Sequence, residues 1–167
     1  MPGPRIEGEP EGFEIPKTPP EILQIFGIKK LDEILRRITL YKGYIKGRPY
    51  EYSGIGLESC FIDNLSPLAL YVLKQNLKIQ EALRNSFLPL GIDTLNLLPE
   101  QAIIRYRWGS KEEVLIPPIV EISQEDGFIR ATADGLHRMT YAKSLGLKNI
   151  NAVVVKGIPV PLTPLPV

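Results

Sequence analysis

The chain is poor in the residues that close disulfides and hold zinc. It has one cysteine, Cys60, and one histidine, His137, in 167 residues. A lone thiol cannot form an internal disulfide. One thiol with one imidazole also falls short of the four nitrogen and sulfur ligands of a structural zinc site. Magnesium, which takes oxygen ligands, is left open. An excess of charge of one sign is lacking too: 20 Lys and Arg against 19 Asp and Glu leave a formal net charge of +1. No overall field therefore draws the protein onto DNA, and any nucleic-acid contact would be a local patch. No apolar run approaches the roughly 18 residues that a membrane span needs. Met1-Pro2-Gly3-Pro4 offers neither the charged nor the apolar block of a signal peptide. The expectations are a soluble, cytoplasmic protein with no membrane partner. Cys60, between Ser59 and Phe61, reads as a packed thiol rather than a nucleophile.

Proline is plentiful, with sixteen residues gathered largely at Pro2 to Pro20 and Pro159 to Pro166. Both ends read as extended arms around a packed body. The expected organisation is a flexible arm over 1–17, a helical N-terminal region over 18–90, a core over 91–157 and a proline-rich extended tail over 158–167. The tail is apolar as well, which suits docking against the body or a partner's groove.

In the N-terminal region, Thr18-Pro19-Pro20-Glu21 has the chemistry of a helix start. Ile22, Leu23, Ile25 and Phe26 follow, and after Gly27 a helical spacing resumes with Leu31, Ile34, Leu35 and Ile38. Two short helices, or one broken helix, are expected. Residues 41–59 mix Tyr, Lys, Arg and Gly and read as a loop or hairpin. That stretch could stack bases between cations or cover a nucleotide, although a surface hairpin is the simpler reading. A further helix is expected from Ser66-Pro67 to about Phe87. In the core, Ala102 to Trp108 reads as a strand with Ile104, Tyr106 and Trp108 on one face and Arg105 and Arg107 on the other. Lys111-Glu112-Glu113 reads as a solvated turn. Pro118 to Ser123 and Phe128 to Ala133 read as strands joined by a hairpin turn at 124–127, followed by a helix from Leu136 to Ser144, a stop at Gly146 and a last strand from Asn151 to Val155. The fold class is α+β: a small mixed sheet with helices, preceded by a helical N-terminal region.

Chemistry gathers at Asp134-Gly135-Leu136-His137-Arg138. A strand ends, Gly135 permits a sharp turn and a helix begins, so the first N–H groups and the positive end of the helix dipole face outward together. His137 and Arg138 can add charge-assisted hydrogen bonds to an anion. Asp134 could cap the helix, and its charge would then oppose an anion at the same place. The conflict is removed if it shares a magnesium ion with phosphates or accepts a proton from a substrate hydroxyl at a phosphoryl site.

Residues 92–156 resemble the N-terminal domain of the ParB partition proteins and the related sulfiredoxins. The likeness lies in Leu95-Asn96-Leu97-Leu98-Pro99-Glu100, in Pro117 to Ile122, in the Asp134-to-Arg138 stretch with its closing Leu145-Gly146, and in Ile150 to Val155. It implies a nucleotide, ATP, ADP or CTP, whose phosphates sit on Gly135, Leu136, His137 and Arg138, with or without Mg2+ at Asp134. It also implies catalytic roles for Asp134 and for Glu100, the latter as a general base or metal partner. A phosphotransferase or NTPase is the leading expectation. The alternatives are a DNA-binding or nuclease module and a protein-interaction module. Sulfiredoxins carry a cysteine where Leu136 stands, so that chemistry is set aside.

Overall fold

The computed structural model describes residues 5–8, 15–37, 54–64, 71–123 and 129–158. In chain order the elements are β1 (Arg5–Glu7), β2 (Glu21–Phe26), α1 (Ile28–Arg37), β3 (Gly54–Phe61), β4 (Tyr71–Leu73), α2 (Lys74–Phe87), β5 (Ile103–Trp108), β6 (Lys111–Leu115), β7 (Ile119–Ser123), β8 (Ile129–Asp134), α3 (Leu136–Ser144) and β9 (Asn149–Ile158). Short 3-10 turns lie at Ile62–Asn64, Leu88–Leu90 and Pro99–Gln101. The fold is mixed α+β, as the sequence pattern implies.

The larger sheet has the order β3-β9-β7-β8. Strand β9 is antiparallel to β3 and parallel to β7, and β7 is antiparallel to β8. The run Ala152-Val153-Val154-Val155 is apolar at every position because this strand is covered on both faces. Val153 and Val155 pack with Leu31 and Leu35 of α1. Ala152 and Val154 pack with Met139, Tyr141 and Ala142 of α3. Helix α1 keeps Asp32, Glu33 and Arg36 on its outer side and buries only Leu31 and Leu35. Helix α3 is different: Arg138 to Ala142 are all buried, because α2 closes over the side that the sheet leaves uncovered.

The second sheet has the order β2-β5-β6, and β1 and β4 form a parallel two-stranded pair. Helix α2 lays Leu83 and Phe87 on Ile104, Tyr106 and Leu115. The Phe87 and Tyr106 rings meet edge to face, with centroids 5.1 Å apart and planes at 87°. This is the favoured geometry for two aromatic quadrupoles. On the outer face, Arg107 bridges Glu21 of β2 at 3.3 Å and Glu112 of β6 at 2.8 Å, and Arg105 donates to Gln24 at 3.1 Å. Both arginines are thus engaged in cross-strand pairs.

Several expectations change. Glu21–Phe26 is a strand, although Thr18-Pro19-Pro20 reads locally as a helix start. Pairing with β5 decides it, because this strand can send Ile22 into one apolar cluster and Phe26 into another. The stretch 18–90 contains α1 and α2 but also gives a strand to each sheet. Gly54 to Ser59, expected as loop, lies in β3. Lys111-Glu112-Glu113 belongs to β6, and the reversal is at Gly109. Within the arm, Arg5–Glu7 forms β1. The cation-rich loop at 41–53, the helix start at Ser66-Pro67, the hairpin turn at 124–127 and the tail from 159 lie outside the described residues. Among the described residues no helix is long and apolar enough to cross a membrane.

Candidate functional site

The expected turn and helix stand where the sequence suggests. Strand β8 ends at Asp134 and α3 begins at Leu136, so Gly135 alone makes the corner. Its φ is +87°, the left-handed region that side chains rarely adopt. A Cβ at this position would also fall 2.6 Å from Pro118 Cβ and 2.8 Å from Pro118 Cα. Backbone angle and close approach therefore both require glycine. Pro118 is itself fixed, since its carbonyl accepts the Val153 amide at 2.8 Å. The corner is tied through it to the central strand.

The N-cap position of α3 is Gly135, which has no side chain with which to cap the helix. The first turn closes with the Met139 amide donating to the Gly135 carbonyl at 3.0 Å. The amides of Leu136, His137 and Arg138 precede that bond and lie at the positive end of the helix.

Helix α2 begins at the same end. Asn76, in its first turn, brings Nδ2 to 3.2 Å from His137 Nε2. Further along, Arg84 of α2 lies within electrostatic reach of Tyr141 of α3. The two contacts make the helices run in the same sense, with their starts together. Helix α2 has Leu73 at its N-cap, again with no side-chain cap. Two positive helix ends thus meet beside one imidazole.

The remaining candidate residues are spread more widely. Gly135, Leu136 and His137 are half-buried, whereas Arg138 is only 6% exposed. Arg138 acts on Tyr106 of β5: burial pushes that phenol up to about 12, Glu113 adds to the rise, and the Arg138 guanidinium works against it. Asp134 stands at the end of β8 opposite Ile119. Glu100 is exposed in the Pro99–Gln101 turn, which packs on β2 and α1. Helices α1 and α3 cover opposite faces of the larger sheet, so Glu100 sits in the layer away from the α3 start. Among the described residues, no three His, Cys, Asp or Glu side chains are gathered as a metal cage.

Residues 30–166 match the family model described as the ParB CE domain. The chain belongs to the ParB CE domain family. The match crosses residue 91, where the sequence pattern suggests a boundary, so this ParB-like unit takes in the α1 and α2 segments as well. That agrees with β3 and β9 forming one sheet from both halves of the chain. No curated protein and no solved structure matches the chain.

Sequence reasoning passed over two features of this ParB-like unit. Asn76 lies 61 residues from His137 and has no motif to mark it. Glu121 is 1% exposed in β7, an engaged carboxylate in the middle of a sheet. Its signal was visible as a single acid inside Pro118-Ile119-Val120-Glu121-Ile122, since a buried acid is rare unless it is paired.

Proposed function

We propose that this ParB-like chain binds a nucleotide, ATP, ADP or CTP, through its phosphates at the shared start of α2 and α3. The observation that carries the reading is the meeting of two helix starts, neither with a polar side chain at its N-cap residue, at Asn76 and His137. A phosphate there would accept backbone N–H groups and sit in the positive field of both helices. Gly135, Leu136 and His137 are the contacting residues in this reading. Buried Arg138 contributes its charge from beneath. Asp134, one residue before the turn, is the carboxylate that would share Mg2+ with the phosphates. With no cage of His, Cys, Asp or Glu among the described residues, such an ion would keep water and phosphate oxygens as its other ligands. Asp134 is likewise the candidate acid for phosphotransfer or NTP hydrolysis, and Glu100, in the other layer, is left out of that chemistry.

The test is thermal unfolding of the full chain with ATP, ADP and CTP, each with and without Mg2+. A ligand at a hundred times its Kd stabilises by about 2.7 kcal/mol. A shift for one or more nucleotides that is lost in His137→Ala supports the proposal. No shift at millimolar ligand defeats it.

A further inference from the structure

We infer that Asn76 is the positioning residue of this site and that it holds the His137 ring neutral with its proton on Nδ1. The inference rests on the proposed nucleotide reading only for its ligand half; the tautomer is argued from the contact between Asn76 Nδ2 and His137 Nε2.

The atom of Asn76 that faces the ring is Nδ2, 3.2 Å from His137 Nε2, in a half-buried position. A carboxamide nitrogen donates and never accepts. Its partner must therefore be a nitrogen with a lone pair, so Nε2 carries no proton. In a neutral ring the proton is then on Nδ1, the nitrogen nearer the main chain of the α3 first turn. Nδ1–H is then a donor on the side of the ring bonded to Cγ, nearer its own main chain, and the first-turn amides of that chain are donors as well. This is the polarity that a phosphate oxygen needs. A ring protonated on Nε2 would instead present an Nδ1 lone pair and repel that oxygen.

Asn76 can impose this choice because it is anchored by another element. It lies in α2, whose Leu83 and Phe87 are fixed in the apolar cluster under β5. Two parallel helices carry the donor and the ring, so the contact registers one helix start against the other. Asn76 thus ties the Asp134-to-Arg138 stretch to a segment far from it in the chain.

The only histidine in the chain gives the measurement a single imidazole to read. The experiment is long-range 15N–1H NMR of 15N-labelled full-length protein above the titration of the ring, with ADP and Mg2+ affinity measured in parallel. In the wild type, Nδ1 is expected at the protonated nitrogen position and Nε2 at the unprotonated one. Asn76→Asp presents only acceptors and should exchange the two assignments. Asn76→Ala should give a mixture of tautomers. ADP should bind Asn76→Ala about three- to tenfold more weakly, the range for one hydrogen bond. A wild-type ring protonated on Nε2 overturns the tautomer. Unchanged ADP affinity in both variants overturns the positioning role. If the wild type binds no nucleotide, the proposed function and the ligand half fail together, and the spectrum alone still decides the tautomer. Asn76→Asp is nearly isosteric and serves if the alanine variant does not fold.

Discussion

Gly135 and Pro118 are in such close contact that no side chain fits between them: a Cβ on Gly135 would stand 2.6 Å from Pro118 Cβ. The contact sets the angle at which α3 leaves β8, and so where the helix start lies. Gly135→Ala is expected to destabilise the protein by about 2–5 kcal/mol, the sum of left-handed strain and overpacking. Pro118→Gly in the same chain should recover the part of the packing cost due to the proline ring, but neither the 2.8 Å approach to the Cα of residue 118 nor the strain, so the two substitutions will not simply add. Urea denaturation of the four proteins measures this. Additive effects would mean that the two residues do not touch in solution.

A second fixing point lies along the parallel helices. Asp93 accepts from Arg84 Nε at 3.2 Å and from the Leu95 amide at 3.0 Å. That carboxylate raises the pKa of the Arg84 guanidinium, chiefly through their hydrogen bond. Asp93→Ala should cost about 1–3 kcal/mol, since it strands a backbone donor as well as the arginine. Asp93→Asn keeps an acceptor for Leu95 and should cost clearly less. Equal losses in urea melts would show that the charge pair, and not the amide bond, holds the segment.

The elements that carry the candidate site were the legible ones. Leu136 to Ser144 was bounded in the sequence by Gly135 and Gly146, and the structure ends α3 at the same residues. The alternation of Ile104 and Tyr106 with Arg105 and Arg107 gave β5 its faces directly. What escaped was set by partners distant in the chain. Glu21–Phe26 has a helix-like start, but its side chains serve two clusters and its main chain serves β5. Gly54 to Ser59 carries loop residues, yet β9 supplies a full ladder of hydrogen-bonding partners. Likewise the motif pointed to His137, while Asn76, which orients it, could be found only once α2 was placed beside α3.

Trp108, the single tryptophan, reports on how the N-terminal stretch lies on the small sheet. Its indole Nε1 donates to the Thr18 carbonyl at 3.2 Å, and Pro16 lies against Gly109, where a Cβ would meet Pro16 Cγ at 3.1 Å. Removing residues 1–18 should expose the ring and shift its emission to longer wavelength while the far-ultraviolet circular dichroism of the body persists. An unshifted spectrum would show that the segment carrying Thr18 does not cover the ring in solution.

Cys60 gives the protein an alkaline weakness. Burial in the cluster under α3, with Glu58 adding to it, pushes the thiol from its ordinary 9.0 up to about 11. Tyr106 is pushed up to about 12 in the same sense. A thiol whose folded pKa lies above its unfolded value stabilises the fold fully below about 9, and that contribution is lost as pH rises toward about 11. In that window the unfolded chain has released a proton that the folded chain keeps. Between pH 9 and 10, where an ordinary tyrosine is at most about half ionised, the folded-to-unfolded ratio should fall by up to about tenfold per pH unit, chiefly on account of Cys60. Cys60→Ala should be less stable at neutral pH through the lost packing, yet lose less with alkali. Melting curves of the two proteins from pH 8 to 10 should therefore converge. Curves that stay parallel would mean that the thiol ionises in the folded protein as readily as in the unfolded chain.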